Sequence, residues 1–96
     1  MKLVVSPQAV EDIDVAARWW AASRPAAPAL LEQELLEAMR FIALAPHAGA
    51  PLRRGRPPGV RRVPLSRTRY LLYYRVLETE VRVLRLWHAS RRAPTL

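Results

Sequence analysis

The sequence predicts an α+β domain in the order β-α-α-β-β-β, a helical hairpin packed on a twisted antiparallel sheet, and three observations predict it. A β-branched start runs straight into a serine–proline helix opening; two stretches with helical apolar spacing are parted by Arg24-Pro25; three strand-forming segments close the chain. With 96 residues, 51% of them hydrophobic, a single domain over residues 1–96 is expected. Its core is small enough that a partner or a dimer should contribute to its stability.

Residues 2–5, KLVV, read as the first strand. Ser6 then offers a hydroxyl N-cap and Pro7 suits the first helical position. A spacing of 100° places Val10, Ile13, Ala17 and Trp20 on one stripe facing the sheet, with Glu11, Asp12 and Arg18 turned elsewhere. Arg24-Pro25 ends this helix, because a residue before proline avoids helical angles, and residues 26–45 read as the second. Its buried face is Leu31, Leu35, Ala38, Met39 and Ile42; Leu30, Leu36, Phe41 and Leu44 lie off that face, so another chain is expected to cover part of it.

From Pro46 to Gly59 all three glycines and four of the nine prolines crowd together, which predicts a long loop with no regular element. Strands follow at residues 60–65, 68–77 and 80–88, with residues 77–80 as a hairpin turn. In the middle strand Tyr70 and Tyr74 share a parity with Leu72 and Val76 and belong under the helices; Tyr73 falls with Arg69 and Arg75 on the other face. The tail, 89–96, has no periodicity and is expected to fray.

Composition narrows the function classes. Without cysteine there is neither a disulfide framework nor a thiolate metal site, and a cytoplasmic home is the natural expectation; no cofactor or metal is expected. No run of about twenty apolar residues is present to cross a bilayer. The net charge of +8 is unevenly placed: residues 1–50 hold four cations against six acids, net −2, and residues 51–96 hold twelve arginines against Glu78 and Glu80, net +10. Such a polycationic half suits an acidic protein partner or a phosphate backbone. Guanidinium groups stay charged at any accessible pH, so they clamp rather than transfer protons.

The phrases LVVSPQAVEDI, LAPHAGAPL, GVRRVPL, TRYLLYYRV and VRVLRLWHASRR, in this order, resemble the RelE/ParE superfamily of type II toxin–antitoxin toxins over nearly the whole chain. The ParE-like branch is the more similar, with an aromatic-Leu-x-Tyr-Tyr strand and a closing Arg-x-x-His-x-x-Arg-Arg. For that branch the resemblance implies inhibition of DNA gyrase by protein–protein contact, as in plasmid stabilisation. For the RelE-like branch it implies ribosome-dependent mRNA cleavage. Both imply a cognate antitoxin whose C-terminal segment wraps the toxin. A shared fold does not choose between these activities; the site must.

For binding to target or antitoxin, the candidates are the arginine cluster Arg53, Arg54, Arg56, Arg61 and Arg62, with Tyr73, Arg75 and the outward-facing Trp19. No catalytic residue is favoured. The enzymatic alternative would give acid–base work to His88 and phosphate stabilisation to Arg85 and Arg62, but side chains three apart on a strand point to opposite faces unless a bulge intervenes. Lys2 is the sole lysine, so the remaining cations are poor bases. His47, in the loop, reads as a solvated residue.

Overall fold

The computed structural model describes residues 1–53 and 57–96. Strand β1 (Lys2–Val5) leads into helix α1 (Pro7–Ser23), followed by α2 (Leu30–Leu44), β2 (Ala50–Pro51), β3 (Val60–Leu65), β4 (Tyr70–Val76) and β5 (Glu80–His88). The five strands form one sheet in the order β1-β5-β4-β3-β2. The pairs β2–β3, β3–β4 and β4–β5 are antiparallel, whereas β1 joins β5 in parallel, so the first strand of the chain lies beside the last.

Helix α1 begins as its residues dictate: Ser6 Oγ accepts the Ala9 N–H at 3.1 Å, with Pro7 next in the first turn. Its buried face, however, is Ala9, Ala16 and Trp20 with Ile13 packed alongside; Val10 is 55% exposed. The expected stripe is therefore displaced by one residue at its start. Alanines let the helix approach the sheet closely, and that contact outweighs the larger apolar side chain at Val10. Asp12 also turns inward, toward β5. The α1 indole of Trp20 donates to Ala27 O at 2.9 Å and fixes the linker.

Helix α2 starts at Leu30 rather than at residue 26, since Pro28 bars Ala27 from helical angles. Leu31, Leu35 and Ile42 are buried and Ala38 and Met39 pack against them, as the spacing predicts. The proline-rich loop does hold a regular element, the two-residue β2, which pairs with Arg61 and Arg62 of β3. Beyond that short pairing, Pro64 occupies an edge position. With no N–H to offer there, it blunts the sheet edge against adventitious pairing.

Tyr70, Leu72, Tyr74 and Val76 face the helices, as alternation requires. A register irregularity at Tyr73/Tyr74 places the extra residue, Leu84, on β5: Tyr73 lies opposite Arg85 and Tyr74 opposite Val83. Tyr74 is completely buried, donates to Pro46 O at 2.8 Å and accepts from Gly49 N–H at 2.9 Å, tying the loop to the core. A Cβ on Gly49 would lie 2.4 Å from that hydroxyl, which the buried ring cannot withdraw. Gly49→Ala is therefore expected to cost about 2 kcal/mol, read as a lower urea midpoint with unchanged slope.

Candidate functional site

Beyond Val83, where β1 ends, the last part of β5 and α1 line a cleft. The cleft, about 570 Å³, is lined by Asp12, Val15 and Trp19 of α1 and by Arg85, Trp87 and His88 of β5, together with buried Tyr70 and exposed Arg91. Asp12 organises it. Its carboxylate accepts from Arg85 Nε at 2.7 Å and Nη2 at 3.0 Å, and from the Leu86 N–H at 3.1 Å. The hydrogen bond to Asp12 is the chief reason the Arg85 guanidinium sits above its ordinary pKa, more than offsetting the burial that lowers it. Arg85 is a neutralised cation.

His88 lies opposite Tyr70 and packs edge-on against it, ring centroids 5.0 Å apart. Its Nδ1 lies 2.7 Å from Ser90 Oγ and 3.2 Å from the Ser90 backbone nitrogen. Burial raises the Tyr70 hydroxyl above its usual pKa, and Arg91 opposes that rise. Arg91 stacks on Trp87 with its guanidinium carbon 3.7 Å from the ring centroid. The tail is pinned rather than frayed: Trp87 Nε1 donates to Arg92 O, Arg85 Nη1 to Thr95 O, and Pro94 is buried.

Of the sequence-derived candidates, Trp19, Arg85 and His88 line this cleft, whereas Arg53, Arg61, Arg62, Tyr73 and Arg75 do not. Alternation puts Arg62 and Arg85 on the outer face of the sheet, flanking Tyr73, and His88 on the helix face. The trio of the enzymatic alternative is thus not assembled, although the long Arg85 side chain reaches the cleft that His88 also lines. Tyr73 is corrected as a contact residue: it is 1% exposed, sealed in a small outer-face packing that also buries Val60, with Arg62 over its ring at 5.9 Å. Arg61 is a structural clamp, donating to His47 O at 3.0 Å and Gly49 O at 2.8 Å, and Arg75 holds Pro58 O at 2.8 Å.

Arg53 is exposed, and Arg54 and Arg56 lie outside the described residues. Trp19 is half exposed, as the outward stripe predicts, with Arg24 stacked on it. On α2, Leu36, Phe41 and Leu44 are exposed too. Sequence reasoning missed Asp12, Trp87 and Arg91. The signal for Asp12 was the pair Ala9 and Ala16: small residues mark where a helix comes close to a sheet, and Asp12 lies between them.

Among the described residues, no helix is long and apolar enough to cross a membrane. Over residues 3–93 the sequence matches the family model described as ParE toxin of type II toxin–antitoxin system, parDE. A solved chain described as "Chromosomal ParDE TA system from P. aeruginosa" is similar at 24% identity and a TM-score of 0.77, the alignment covering 94% of this chain and 97% of that one. Among curated proteins, none matches.

Proposed function

We propose, from the premise that this chain belongs to the family of ParE toxins of type II toxin–antitoxin systems, that it inhibits DNA gyrase by protein–protein contact and is neutralised by a cognate antitoxin segment wrapped around it. Beyond family membership, one observation supports binding over bond-breaking. Of the two cations that line the cleft with His88, Arg85 is already held by the Asp12 carboxylate at 2.7 Å, so it is poorly placed to stabilise a phosphorane, and Arg91 is stacked on Trp87. The similar P. aeruginosa chain comes from a toxin–antitoxin system, which favours an antitoxin partner here as well. Exposed cations at Arg53, Arg67, Arg69, Arg91 and Arg92, together with the exposed aromatic Trp19, supply what an acidic protein surface recognises.

The purified protein should abolish gyrase supercoiling at concentrations comparable to that of gyrase, and His88→Ala should inhibit equally well. Unchanged supercoiling and unchanged gyrase-mediated DNA cleavage would overturn the gyrase reading. Loss of toxicity in the His88→Ala variant, with its fold intact, would instead support ribosome-dependent mRNA cleavage using His88 and Arg85.

A further inference from the structure

Strand β5 has β1 beside it only as far as Val83, because at Ser6 the chain turns away into α1. The edge beyond is partly closed: Ser6 Oγ donates to Leu84 O and Asp12 accepts the Leu86 N–H. On the opposite side, Ala89 N–H donates to Arg69 O, which makes His88–Tyr70 a non-hydrogen-bonded pair and turns the backbone groups of Leu86 and His88 away from β4. The His88 carbonyl accepts the Arg91 N–H. What remains on the edge is the Leu86 carbonyl and the His88 N–H, to which no described residue bonds. One acceptor and one donor two residues apart is the set that a single residue of a parallel strand engages with its own N–H and C=O. The direction is the one β1 already follows against β5.

The walls of the cleft fit a particular kind of segment. Val15 is 54% and Trp19 50% exposed, which leaves an apolar face on α1 beside the open edge. Arg91 is held flat on Trp87 and has no carboxylate partner among the described residues, while Arg85 is already neutralised by Asp12. The C-terminal half of the chain carries net +10. Apolar wall, free rung and unneutralised guanidinium lie within one cleft.

We propose that this cleft receives an extended acidic segment of a protein partner. Its backbone bonds the Leu86 carbonyl and the His88 N–H parallel to β5, an apolar side chain rests on Val15 and Trp19, and a carboxylate meets Arg91. The inference rests on the reading that the chain works through protein contacts, and it adds the place and the chemistry of one such contact.

The test is an amide NMR titration of the full chain with two synthetic peptides, Ac-Asp-Val-Trp-Val-Asp-amide and its counterpart with lysine in place of aspartate. The acidic peptide should give saturable shifts centred on the His88 amide, and the lysine peptide none. Arg91→Glu should weaken binding at least tenfold with the spectrum otherwise preserved, and Trp19→Ala should weaken it by a similar factor. The absence of shifts at His88, equal binding of both peptides, or unchanged affinity in Arg91→Glu overturns the proposal. Supercoiling inhibition measured on the same preparation separates the two readings: a gyrase-active protein that ignores the acidic peptide sinks this site alone, and a peptide-binding protein without effect on gyrase sinks only the gyrase target.

Discussion

Replacing Asp12 by alanine should lower the free energy of unfolding by about 3–4 kcal/mol, measured as a fall in the urea midpoint. The carboxylate makes two bonds to the Arg85 guanidinium and one to the Leu86 N–H, and the two side chains of the pair are only 13% and 17% exposed. Its removal leaves a partly buried cation whose remaining contacts are the Thr95 carbonyl, the Trp87 ring and the more distant charge of Glu11, together with an edge N–H that has lost its acceptor. Arg85 cannot escape by losing its proton, because an arginine stays charged at any accessible pH. The double variant Asp12→Ala/Arg85→Ala should therefore be less destabilised than the sum of the two single changes, by at least about 1 kcal/mol, since removing both partners leaves no orphaned charge. Strict additivity would show that the pair does not form in solution. Because Asp12 is also the tie between α1 and the open end of β5, its loss should widen the cleft as well as weaken the fold.

Much of this architecture is legible in local sequence. Ser6-Pro7 marks the start of α1, the β5 limits follow from the glutamate at residue 80 and the end of the VRVLRLWH alternation, and the parity of Tyr70, Leu72, Tyr74 and Val76 identifies the core face of β4. What escapes a local reading depends on distant partners. The parallel pairing of β1 with β5 joins residues nearly eighty positions apart and leaves no mark on either strand. The two-residue β2 exists only because Arg61 and Arg62 lie beside it. Tyr73 has the right alternation for an outward residue, but a small patch of the second face, around Tyr73 and Val60, is buried, so outward does not mean exposed. The arginines give the clearest case of a signal that sequence cannot resolve. Net charge predicts a basic surface, yet Arg61, Arg75 and Arg85 are held by backbone carbonyls or by Asp12, and the unneutralised guanidinium at the cleft, Arg91, sits in a tail without periodicity, where the closing Arg-x-x-His-x-x-Arg-Arg does not say which arginine is left unpaired.

A second large effect is expected at Glu34, whose side chain is buried on α2 and caps the turn between β3 and β4. Its Oε2 accepts the Arg67 N–H at 2.9 Å and its Oε1 the Thr68 N–H at 2.8 Å. The turn needs this support, because it contains neither glycine nor asparagine and carries Arg69 at a φ of 67°, a left-handed conformation that disfavours a side chain. Glu34→Ala strands both N–H groups and should cost about 3 kcal/mol, while Glu34→Gln keeps one good acceptor and should cost about half as much. The pH dependence distinguishes charge from shape. Burial pushes the Glu34 carboxyl upward, but the bonds from Arg67 and Thr68 and the positive charge of Arg67 outweigh it, so the folded-state pKa lies below the ordinary 4.5. A carboxylate depressed in the folded state adds stability that is complete above the unfolded-state pKa and is lost as pH falls through the folded value. The advantage of wild type over Glu34→Gln should accordingly be largest near pH 7 and shrink on acidification below about 4.5, when urea unfolding is followed at both ends of that range. An advantage that stays constant from pH 7 to pH 3 would mean that the amide of glutamine fails for reasons of fit, and that the negative charge on Glu34 is not what holds the turn.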